Sequence, residues 1–119
     1  MPGYVEGFLL AVPQKRLVDY RRIARKAGKV WMEHGALEYV ECVADDLQPG
    51  QVVSFGKAVQ LKRGEVALFS YIGYRSRAHR DRVNKKVMAD PRIAAMGPDK
   101  MPFDPQRMMW GGFKTIVSL

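Results

Sequence analysis

The chain has one cysteine, Cys42, among 119 residues, and only two histidines, His34 and His79. One cysteine excludes an intramolecular disulfide, so the fold must rest on its core, and such usage fits a reducing cytoplasm. With no Cys or His pair at ligand spacing, a zinc site has no donor set. A mixed site from His34, Glu41 and Asp45 has only weak support, and no metal or cofactor is expected. No apolar run approaches the ~20 residues of a membrane helix, so no membrane partner is expected. Met1-Pro2-Gly3-Tyr4 puts no basic residue before the apolar run, and Pro13-Gln14-Lys15-Arg16 interrupts it too soon for a signal peptide. Repeats and low-complexity tracts are absent.

What is present is an ordinary globular composition, 47% hydrophobic and 27% charged, long enough for one domain over residues 1–119 with a real core. The net charge of +8 is segregated along the chain. Lys15, Arg16, Arg21, Arg22, Arg25, Lys26 and Lys29 fall in one segment, and Arg75, Arg77, Arg80, Arg82, Lys85 and Lys86 in another. Residues 38–46 hold four of the 12 acids.

Residues 4–12 (YVEGFLLAV) read as a strand ended by Pro13. Over 14–34, Leu17, Tyr20, Ala24, Ala27 and Trp31 step by three and four, which predicts an amphipathic helix with Gly35 at its C-terminal end. Residues 36–46 (ALEYVECVADD) form a second strand, closed by the turn signal Gln48-Pro49-Gly50. Residues 52–61 fit strand, short helix or both. Residues 66–74 are a third strand. Ser76 N-caps a second helix to about residue 89, with Ala78, Val83, Val87 and Met88 inward. Asp90-Pro91 stops it, Arg92–Met96 add a turn, residues 101–108 form an extended connection, and residues 108–117 give a last strand with two mid-strand glycines.

The order predicts an α+β fold, a ferredoxin-like βαββαβ arrangement with an antiparallel sheet. The first and third strands are apolar on both parities: Phe8, Leu10 and Val12 against Val5, Leu9 and Ala11 in one, Val66, Leu68 and Ile72 against Ala67, Phe69 and Tyr71 in the other. A sheet apolar on both faces needs both covered, and two helices cover one. A second copy of the chain is the simplest cover, so a homodimer is expected.

The pieces Tyr4-Val5-x-Gly7-Phe8, Gly35-Ala36-Leu37, Val40-Glu41-Cys42, Phe69-Ser70-Tyr71, Arg80-Asp81-x-x-Asn84, Met88-x-Asp90-Pro91-Arg92, Met101-Pro102-Phe103-Asp104 and Gly111-Gly112-Phe113 follow one another in the chain. Together they resemble the YbaA-like bacterial proteins, a domain-of-unknown-function family, over about residues 4–117. The resemblance implies the dimeric α/β-barrel superfamily, in which two ferredoxin-like sheets face each other. That superfamily contains cofactor-free monooxygenases, heme-degrading enzymes and small-molecule binders.

Glu41 is the leading chemical candidate. Its parity carries Tyr39 and Val43, so an inward Glu41 stands in an apolar wall, where a carboxylate needs a partner. It would serve as general base or polar anchor in a pocket between sheet and helices. His34 assists in this reading, Trp31, Tyr39, Tyr71 and Phe103 line the pocket, and Asp45 stands at its mouth. The structural alternative is an ion pair from Glu41 to Arg80 or Arg107. Cys42, on the other parity, is expected to be packed and unreactive. Residues 101–104 fit a lid or a pin for the last strand. The alternative function is a nucleic-acid-associated module that binds phosphates through Arg22, Arg25 and Lys29, although a solvated helical face explains the same pattern. A homodimeric interaction protein without catalysis is the third reading, and the sequence leaves enzyme against binder open.

Overall fold

The computed structural model describes residues 2–48, 50 and 52–119, with the backbone alone for Pro98. Four strands form one antiparallel sheet: β1 (Tyr4–Pro13), β2 (Glu38–Val43), β3 (Glu65–Tyr74) and β4 (Met109–Lys114), in the spatial order β2-β3-β1-β4. This is the ferredoxin-like α+β arrangement predicted. Helices α1 (Leu17–Glu33) and α3 (Arg77–Met88) join β1 to β2 and β3 to β4. Two single-turn helices, α2 (Phe55–Ala58) and α4 (Pro91–Ala94), sit in the connections.

Register assigns the two faces. Glu6 lies opposite Ile72, Phe8 opposite Ser70, Tyr39 opposite Ile72 and Glu41 opposite Ser70. These residues share the face covered by α1 and α3, because side chains directly across a ladder point the same way. Val5, Leu9, Phe69, Tyr71, Cys42 and Phe113 alternate to the other face.

Helix α1 buries Tyr20, Ala24, Gly28 and Val30 and ends where Gly35 takes φ +112°, a conformation that suits glycine. A 3-10 turn, Gln14–Arg16, precedes it, so the regular helix starts three residues later than its periodicity predicts. Helix α3 starts at Ser76, whose Oγ accepts from the His79 amide at 3.1 Å. Its inward face is His79, Val83 and Val87, while Ala78 and Met88, also expected inward, are exposed. Ala78 lies five residues before Val83 and so falls off the stripe that His79 and Val83 share at a spacing of four. The His79 Nδ1 accepts the Arg75 amide proton at 2.9 Å, and burial holds its pKa below the ordinary histidine value.

The ambiguous stretch 52–61 contains α2, capped by Ser54. Val59 beyond it is fully buried against Ala11 and Ala67 and covers one end of the sheet's second face. The predicted turn at 48–50 includes Pro49, which lies outside the described residues. In the 101–108 connection, Pro105–Arg107 form a 3-10 turn where an extended path was expected. Arg107 makes a two-pronged bond to Glu65, with Nη1 to Oε1 at 2.8 Å and Nη2 to Oε2 at 2.7 Å. The connection is thereby pinned to the start of β3.

Gly112 lies opposite Glu6 in the β1–β4 ladder, and a Cβ there would run into the Tyr4 hydroxyl. The missing side chain lets the Tyr4 ring lie across β4, and the Arg80 guanidinium sits 5.0 Å from that ring's centre.

Candidate functional site

Between the helix-covered face and the 89–108 connection lies a cavity of about 500 Å³, within the size range of small-molecule sites. Its walls are mostly apolar. Phe8 and Trp110 rise from the sheet, Trp31 comes from α1, and Phe103 from the connection. Met88, Met96, Met101 and Met108 also line it, four of the chain's seven methionines. Flexible thioethers make an adaptable surface.

Glu41 lines this cavity from β2. Its Oε1 accepts from the Tyr20 hydroxyl at 2.7 Å and its Oε2 from the Tyr39 hydroxyl at 3.0 Å. Both phenols are pushed well above the ordinary tyrosine pKa, first by burial and then by the neighbouring Glu41 charge, so they remain donors. The expected ion-pair partners are engaged elsewhere. Arg80 binds Glu6 and Asp81, and Arg107 binds Glu65 and Asp104. Ring packing fixes the two phenols. Tyr20 meets Phe103 edge-on with centroids 6.0 Å apart, and Tyr39 lies 6.0 Å from Trp31. The Tyr39 ring fits over α1 because residue 28 is glycine, where a Cβ would stand 2.6 Å from a ring carbon.

A second carboxylate on the wall was missed in the sequence. Glu6 is 4% exposed and faces the same cavity. Arg80 Nη1 donates to its Oε2 at 2.9 Å and Asn84 Nδ2 to its Oε1 at 3.2 Å. Asn84 Oδ1 accepts from Trp31 Nε1 at 3.1 Å and from the Tyr74 hydroxyl at 3.0 Å. Glu6 stands on the parity of Phe8, Leu10 and Val12, the same signal that singled out Glu41 on β2.

Other predicted site residues fall elsewhere. His34 does not line the cavity. It caps the end of α1, with Nε2 2.9 Å from Asp90 Oδ2. Asp90, the N-cap of α4, is held well below the usual carboxylate range by Arg92 and then by His34. Asp45 is exposed and does not line this cavity, because β2 ends at Val43 and parity carries no further. Tyr71 borders the cavity, but its hydroxyl points to Glu38 on the second face at 3.2 Å. Cys42 is exposed, contrary to expectation; it lies near the end of the edge strand β2 and borders, with Glu41, a groove between that strand and α1. Arg22, Arg25 and Lys29 are exposed along α1. Among the described residues no group of three His, Cys, Asp or Glu is placed to hold a metal ion, and no helix is long and apolar enough to cross a membrane.

Comparison with solved structures supports the fold. A NIPSNAP domain protein from Burkholderia xenovorans superposes with a TM-score of 0.61, covering 96% of this chain and 95% of that one at 12% identity. At the sequence level the chain is 45% identical over 114 residues to "Uncharacterized protein YbaA" of Escherichia coli K12, covering 96% of this chain and 97% of the relative. The Shigella flexneri protein of the same name matches equally. The profile described as "Protein of unknown function (DUF1428)" matches residues 3–105, and with relatives this close over nearly the whole length, the chain belongs to the DUF1428 family of YbaA-like proteins.

Proposed function

We propose that the chain is a small-molecule binding protein whose ligand occupies the cavity between sheet and helices, with Glu41 as its polar anchor. One observation carries this reading: a carboxylate with no cationic partner among the described residues is held in the wall of an apolar cavity of about 500 Å³. Such a group costs stability unless something offsets it. Both of its oxygens already accept phenol protons, which favours anchoring over proton abstraction. A thermal-shift screen of small molecules tests the reading. Hits should lose their effect in Ala27→Phe, which fills the cavity from α1. If no compound raises the melting temperature, or if hits act equally on the filled variant, the reading fails.

The open sheet face supports a homodimer as the form in which this protein works. Phe69, Met109 and Phe113 are 49%, 41% and 66% exposed there, around an apolar groove, and contiguous patches of that kind mark interaction surfaces. A second copy presents the same apolar face, and an isologous pairing closes on itself. Sedimentation as a monomer at micromolar concentration would exclude it. Phosphate binding through Arg22, Arg25 and Lys29 is the lesser reading, tested by salt-dependent RNA retention in the triple charge-reversal variant.

A further inference from the structure

We infer that the ligand of this cavity is an organic cation, an amine with an apolar body whose ammonium group sits between Glu41 and Ser70. The inference rests on the small-molecule reading above and specifies the ligand's chemistry.

The first support is the charge of the wall. The chain carries 20 Lys and Arg against 12 acids, yet among the described residues no basic side chain lines the cavity. Its ionisable carboxylates are Glu6 and Glu41. Glu6 is answered by Arg80 reaching in behind it, whereas Glu41 receives only two neutral phenols. One negative charge therefore faces the cavity without a counter-ion. Arg21, Arg25 and Lys29 line a separate groove, between α1 and the edge of β2, that also reaches Glu41. Among the described residues none of them comes within ion-pair distance of it.

The second support is Ser70. It is 6% exposed, lines the cavity and lies directly across the ladder from Glu41. Its hydroxyl makes no hydrogen bond among the described residues and is not sealed in the core, so it is open to a donor that enters the cavity. Directly opposed side chains have Cβ atoms about 5 Å apart, so one nitrogen placed between them reaches both. An ammonium carries up to three donors and no acceptor, which suits a carboxylate beside a free hydroxyl lone pair. A carboxylate ligand at the same point would meet Glu41 as a like charge.

The third support is the ring system. Trp31 and Tyr39 pack together above this row, and Tyr20 and Phe103 close its side. Ring faces attract cations, more strongly where water is excluded, and the methionine wall accommodates the apolar body.

The test compares 2-phenylethylamine, 2-phenylethanol and phenylacetate at neutral pH, with binding followed by tryptophan fluorescence and NMR. Wild type should bind the amine about tenfold more tightly than the alcohol, a difference worth about 1.4 kcal/mol, and phenylacetate least. Glu41→Gln should abolish that preference, bringing the affinities for amine and alcohol to within about twofold of each other, roughly 0.4 kcal/mol. Ser70→Ala should reduce the preference in a protein whose carboxylate is intact. Equal affinity for amine and alcohol, or a preference that survives Glu41→Gln, overturns the cation assignment and leaves the pocket reading standing. Failure of all three probes to perturb cavity resonances at millimolar concentration overturns both.

Discussion

The Tyr20 hydroxyl of α1 stands 2.7 Å from Oε1 of Glu41 on β2, and this bond joins the first helix to the edge strand across the cavity wall. Removing it in Tyr20→Phe leaves a partly buried carboxylate oxygen without a donor. The expected cost is about 2 kcal/mol, the usual scale for a hydrogen bond to a charged group. Urea unfolding of Tyr20→Phe, Glu41→Gln and the double variant gives the coupling directly. A coupling near zero would mean that the phenol acts only by packing.

Gly28→Ala should destabilise the protein even though alanine favours a helix by about 1 kcal/mol. The added methyl meets the Tyr39 ring, with carbons at 2.6 and 2.7 Å, and the ring must move. Overpacking of this kind costs about 1–3 kcal/mol. Because Tyr39 also holds Oε2 of Glu41, ligand affinity should change along with stability. A Gly28→Ala variant as stable as wild type would show that the ring shifts freely.

The Arg107–Glu65 pair predicts acid lability. The Arg107 hydrogen bonds hold the Glu65 carboxyl down at about 2. A folded-state pKa below the unfolded value stabilises the fold at higher pH. That contribution is fully present above the ordinary glutamate value of about 4.5 and is lost as pH falls toward 2. Arg107→Met should cost about 3 kcal/mol at neutral pH by stranding the carboxylate, and its deficit against wild type should shrink as Glu65 protonates. Denaturation midpoints from pH 7 to 2 check this. A deficit constant across that range would refute the assignment.

Cys42 reports on the open face. Its thiol is exposed in the single chain, so a covering second copy should slow its reaction with a thiol reagent as protein concentration rises. The rate should fall in parallel with dimer formation measured by sedimentation. Phe113→Glu, which places a charge on the same face, should restore fast labelling.

Much of the fold was legible because local patterns and tertiary demands agree. The three-and-four spacing of Tyr20, Ala24 and Ala27 located α1, and the two-sided apolar strands revealed a sheet with two faces to cover. Glu41 was legible from parity alone. Glu6 carries the same parity signal, but its partners Arg80 and Asn84 are 74 and 78 residues away, a distance that pattern does not cross. His34 lies near Glu41 in sequence, yet in the fold it turns to the N-cap of α4. Asp45 failed because parity holds only while the ladder holds. The exposure of Cys42 depends on whether another layer covers its face, which no local pattern encodes.

Arg107 also donates to the carbonyls of Gln60 and Val59, at 3.0 and 3.4 Å. One side chain thus clasps the segment roofing the cavity and, around the end of the sheet, the segment packed on the opposite face. The two surfaces therefore share one anchoring side chain, between the roof and the rim where the proposed second copy would seat. Should a ligand fill the cavity and a second copy seat on that rim, this shared side chain would link the two events, and ligand affinity would then depend on protein concentration.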